Sequence, residues 1–164
     1  LPTRIIPVGP LTGFFSVKVI VELYQRLKGL DESWAFWTLI FALVGAFGSA
    51  IHGGYDLANA INPPAENIIG LPSQIDPRGL LTFGVAAIGL GFFSWLITKS
   101  KEFPKSLGLL GALSATLMMV LYLGRLIVLS PSDPVIVWPT LINGFILGPL
   151  FYIWLGSVLL KKAK

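Results

Sequence analysis

The sequence predicts an all-α, polytopic integral membrane bundle of about five transmembrane helices, forming one membrane domain over residues 1–164. Three observations lead there. Of the residues, 54% are hydrophobic and only 12% charged, with a mean hydropathy of +0.79. A soluble domain carries about a quarter charged residues, so this chain has too few to cover a soluble surface. Apolar runs of roughly 20 residues, the length that crosses a bilayer core, recur along the chain. The basic residues also gather in alternate connections, as a multi-span topology requires.

Taken in order, residues 1–10 hold Pro2, Pro7, Gly9 and Pro10 and read as an irregular lead-in. The chain starts at Leu1 without methionine, so processing or a preceding helix is expected. The first helix spans about 11–28. Lys18, Glu22 and Gln25 fall on one side of it, and Val17, Ile20, Val21, Tyr24 and Leu27 on the other. Mid-segment charges are costly against lipid, so this side is expected to be amphipathic or to face the bundle, with Lys18 and Glu22 as an i, i+4 ion pair. Gly29 is a C-terminal stop.

Asp31-Glu32-Ser33 opens the second helix, about 33–61, with acids at the positive end of its dipole. Trp34 and Trp37 near its entry suit the headgroup region, and Pro63-Pro64 ends it. The connection over residues 62–78 is the longest, and its Ile68-Ile69-Gly70-Leu71 patch could cover the mouth of the bundle. Asp76-Pro77 caps a third helix, about 77–98, in which Gly84, Gly89 and Gly91 permit close helix approach. Pro104 opens a fourth, about 104–130. After the turn Ser130–Pro134 comes a fifth, about 135–160, where Pro149 should kink the helix and free a carbonyl near Phe145.

Orientation follows from the basic residues. Arg26 and Lys28, then Lys99, Lys101 and Lys105, then Lys161, Lys162 and Lys164 all fall on one side if every helix crosses. Arg4 and Arg78 fall on the other. The positive-inside rule places the first three groups, and so the C-terminus, in the cytoplasm, with the 62–78 loop outside. The plasma membrane is the expected location.

Composition also excludes. No cysteine means no disulfide, thiolate metal site or cysteine nucleophile. One histidine among scattered carboxylates makes no metal site. No phosphate-binding glycine pattern or nucleophile elbow is present. The net charge of +4 belongs to helix ends, so no nucleic-acid partner is expected.

The candidate site centres on helix two. At about 100° per residue, Gly45, Gly48, Ser49, His52, Asp56 and Asn59 form one stripe, with Tyr55 at its edge. The small residues suit close packing, and the polar ones argue that this stripe faces the bundle. Arg125 in helix four matches Asp56 in depth, and a buried arginine needs a counter-charge. Asn143 lies at a similar level. The expected cluster is therefore His52, Tyr55, Asp56, Asn59, Arg125 and Asn143, with Tyr122 and Arg78 nearby. Two readings stand: a binding site or proton-linked relay, or an ion pair with hydrogen bonds that fixes helix packing. For His52 alone, a core histidine is preferred to a haem or chlorin ligand.

The function expected is that of a non-catalytic multi-pass protein, either an accessory subunit of a membrane complex or a binder of an apolar small molecule such as a lipid, quinone or pigment. Five tryptophans and eleven phenylalanines motivate it. A small-solute or proton-coupled transporter using Asp56, His52 and Arg125, and an intramembrane lipid-modifying enzyme, are the alternatives. The partners expected are the bilayer, an apolar ligand, and other membrane subunits or further copies of the chain. No cofactor is specified.

Overall fold

The computed structural model describes residues 8–62, 79–128, 130 and 132–161. Five helices follow one another there: α1 Val8–Leu27, α2 Glu32–Ile61, α3 Leu80–Lys99, α4 Lys105–Ile127 and α5 Pro134–Lys161. Among the described residues every regular element is helical. Four of the five, α2 to α5, are long and apolar enough to cross a membrane. The 20-residue α1 is not among the four; it carries Lys18, Glu22 and Arg26.

The helix ends follow local chemistry. The Asp31 carboxylate accepts from the Trp34 N–H at 3.1 Å and caps α2. Asp133 accepts from the Val135 N–H at 2.9 Å, with Pro134 as the first residue of α5. Asp76-Pro77, Pro63-Pro64, Arg78 and all of the 62–78 loop except Asn62 lie outside the described residues.

Two helices contain wide π turns, in α3 over Leu80–Val85 and in α5 over Asn143–Leu147. The second lies where Pro149 was expected to disturb the helix. Pro149 has no N–H for the Phe145 carbonyl. The preceding turn widens instead, and the Gly148 N–H bonds the Asn143 carbonyl five residues back.

Consecutive helices pack antiparallel through small residues. A Cβ on Gly45 would sit 2.6 Å from Ala86 Cα, and one on Gly89 2.6 Å from the Ala42 nitrogen. The backbones of α2 and α3 thus touch where only glycine allows it. Further along the chain, Ser94 and Thr98 of α3 face Gly108 of α4, and Ile136 of α5 faces Gly124 of α4. This alternation brings Arg26, Lys28, Lys99, Lys101, Lys105 and Lys161 to one end of the bundle, called here the basic end; the opposite end, where α2 leaves toward residues 62–78, is the loop end.

The main core lies in the basic-end half. Leu27, Ile97 and Leu107 are fully buried there, with Phe93, Leu96, Phe103, Phe151 and Leu155 around them. On the nearby flank, Trp34 stacks on Phe92 with ring centroids 5.1 Å apart, and Trp37 and Trp95 pack edge-on to them. The Lys99 ammonium lies 3.9 Å from the Trp95 ring. Amphipathic indoles beside a lysine suit the level of the headgroups.

The charged side of α1 runs from an exposed end at Lys18 to a largely buried one at Arg26. Lys18, with its side chain 82% exposed, lies 3.6 Å from Glu22, as the spacing predicts. Glu22 also accepts a 2.9 Å bond from Arg26 Nε. The result is a three-residue ionic ladder on α1, open at Lys18 and largely covered at Arg26, whose side chain is 17% exposed.

Candidate binding site

On α2 the small-residue part of the stripe is buried at Gly45 and Gly48, against α3. Two turns on, the contact loosens. His52 keeps 29% of its side chain exposed and Asp56 65%. His52 Nε2 lies 3.6 Å from Asp56 Oδ2, and His52 Nδ1 lies 3.3 Å from Thr82 Oγ1, in the π turn of α3. Phe83 meets the imidazole edge-on at 6.2 Å. The residues form a short series from the exposed carboxylate through the imidazole to a hydroxyl inside the bundle.

The other expected members lie apart from this group. Among the described residues the ionic partner of Asp56 is His52. Arg125 is half-buried and donates to the Val128 carbonyl at 3.0 Å, at the end of its own helix. The reason is the position of α3, which packs on α2 with one side and on α4 with the other. Thr82 points toward His52, while Gly84, two residues on, faces the Tyr122 ring of α4. Tyr122 therefore belongs to the α3–α4 seam and His52 to the α2–α3 seam, with Asp56 beside His52 on α2. Asn143 is held at a third place: its Oδ1 accepts from Ser114 Oγ of α4 at 2.6 Å. Asn59 is half-buried one turn beyond Asp56, and Tyr55 is exposed. Arg78 lies outside the described residues.

A cavity of about 110 Å³ lies beside the small-residue part of the stripe. It is walled by Ser16, Val19, Ile20 and Leu23 of α1, by Ala42, Gly45, Ala46 and Ser49 of α2, and by Thr82, Ala86, Leu90 and Phe93 of α3. Met118 of α4 and Phe151, Tyr152 and Leu155 of α5 complete it. The first and last helices thus face each other across it. Tyr152 is exposed on its other side, which puts the mouth between α1 and α5.

Thr82 connects the two features, since it lines the cavity and bonds His52. Sequence reasoning found His52, Asp56 and Ser49 but not Thr82 or Ser16. Isolated hydroxyls in apolar spans commonly bond their own helix backbone, so nothing in the pattern marks these two. No family model matches the chain, and no curated protein or solved structure is similar to it.

Proposed function

We propose that this is a non-catalytic multi-pass membrane protein that binds a slender apolar molecule in the cleft between α1 and α5. The cavity there carries the reading. Its walls are mainly aliphatic and phenyl groups with a few hydroxyls, the composition expected of a small-molecule site. Size narrows the ligand. A dry cavity of about 150 Å³ in another protein takes benzene, so about 110 Å³ suits a segment of an alkyl or prenyl chain better than the fused ring of a pigment. The rest of the chain would leave through the mouth into lipid. In this reading all five helices lie in the plasma membrane with the basic end cytoplasmic.

The test is purification in native-membrane nanodiscs followed by mass spectrometry of the extracted lipids. A chain lipid should be retained at near one per protein and be lost in Val19→Phe, which fills the cavity from α1. A protein that carries no such lipid, or one that Val19→Phe leaves loaded, would sink the proposal.

One observation favours an accessory subunit as a second reading. Lys18, at the exposed end of the Lys18–Glu22–Arg26 ladder, faces outward, where lipid makes charge costly. A partner helix with polar groups would cover it. Cross-linking from a photoreactive residue placed at Gln25 should then give one discrete adduct in native membranes. A lipid adduct alone would remove this reading.

A further inference from the structure

The cavity's hydroxyls are set in a way that selects the polar end of the ligand, an inference that rests on the binding reading above. An ionised carboxylate only accepts hydrogen bonds. Asp56, on the exposed side of His52, therefore favours the tautomer with its proton on Nε2, the nitrogen 3.6 Å away. In that tautomer Nδ1 is an acceptor, and Thr82 donates its hydroxyl proton to it at 3.3 Å. The lone pairs of Thr82 Oγ1 are left to the cavity.

The other two aliphatic hydroxyls in the wall repeat this arrangement. Ser49 Oγ donates to the Gly45 carbonyl at 3.0 Å, and Ser16 Oγ donates to the Thr12 carbonyl at 2.8 Å. Each proton is committed to a helix carbonyl or to the imidazole, and each oxygen keeps acceptor capacity. These three hydroxyls therefore present acceptors to whatever enters. No lysine, arginine or carboxylate lines the cavity among the described residues. A phosphate or carboxylate head would be left without a counter-charge there. At these three positions a ketone, ether or ester head would find oxygen facing oxygen.

We infer that the ligand is a long-chain alcohol, its hydroxyl donating to Thr82 Oγ1 and its chain lying along Val19, Leu90 and Phe93 toward the mouth. The hydroxyl is the neutral donor that a thin apolar chain can carry into such a space at low desolvation cost. His52 and Asp56 act as positioning residues, since His52 touches Thr82 and Asp56 touches His52, and neither lines the cavity.

The experiment compares hexadecanol with hexadecyl methyl ether, which keeps the chain and an oxygen but has no proton to donate. Each is titrated against the intact protein in nanodiscs, with occupancy read by native mass spectrometry. Wild type should prefer the alcohol by roughly three- to tenfold, the worth of one net hydrogen bond. Thr82→Val, nearly the same shape, should abolish the preference, bringing the alcohol down to the level of the ether. Thr116→Val, which removes an exposed hydroxyl of α4 that bonds its own helix and lies outside the cavity wall, should keep the preference. Asp56→Ala frees the imidazole tautomer and should reduce the preference without reducing ether binding. Equal binding of the two compounds, or a preference that survives Thr82→Val, would overturn the headgroup inference and leave the cavity reading standing. Failure of both compounds to bind, with Val19→Phe no different from wild type, would overturn the cavity reading itself.

Discussion

At the basic end, Leu27, Ile97 and Leu107 show no exposed surface, and helices α1, α3, α4 and α5 all contribute to the cluster around them. At the loop end, the corresponding level of α2 holds a partly exposed imidazole, a largely exposed carboxylate and one hydroxyl in a widened turn. The same helices thus pack in two ways along their length. In the first half, large apolar side chains interlock and glycines bring backbones together. In the second, polar contacts join α2 to α3 at a widened turn, and the cavity between α1 and α5 reaches from Thr82 there to Phe93, Phe151 and Leu155 of the core. Phe93, Phe151 and Leu155 belong both to the core and to the cavity wall, so the packed half fixes one side of the opening.

Substitutions that attack each half can break this contrast. The largest expected effect is at the basic end. Leu107→Ala leaves a hole in a fully buried position and should lower stability by about 2–5 kcal/mol, measured by reversible unfolding in mixed micelles. Next comes Gly45→Val, whose side chain would run into Ala86 of α3 and should cost about 1–3 kcal/mol. A smaller loss, about 0.6 kcal/mol and at most about 1.7, is expected when Ser114→Ala removes the bond to Asn143. The smallest is His52→Ala, within about 1 kcal/mol because its ionic partner is largely exposed. If His52→Ala proved as damaging as Leu107→Ala, the polar group would be a structural clamp and the two halves would not differ as described. If Leu107→Ala were harmless, the basic-end core would not be the anchor.

Much of the fold was legible because punctuation residues sit at the helix ends. Asp31, Pro104 and Asp133-Pro134 each lie within a residue or two of an observed start, and expected spans such as 33–61 and 135–160 match Glu32–Ile61 and Pro134–Lys161 closely. The site was legible only in one coordinate. Distance along a helix gives depth, so Asp56 and Arg125 could be matched in level. Which helices are neighbours depends on the packing of all five, and α3 came to lie between them. The 3.6 Å approach of His52 to Asp56 is an i, i+4 relation, which needs no tertiary information. Thr82 could not be found this way, since its partner is 30 residues away and its presentation depends on a π turn.

The π turn before Pro149 has a consequence for helical phase. A regular α-helix advances about 100° per residue, so one residue accommodated in a wider turn rotates everything beyond it by that amount. Trp138 and Phe145 look outward before and within that turn, whereas Phe151 and Leu155, beyond it, are fully buried in the basic-end core. The wide turn sets the angular offset between the two parts of α5. Deleting one residue within 143–147 would restore a regular spiral and carry Phe151 and Leu155 round toward lipid, while the sequence of the core itself stayed intact.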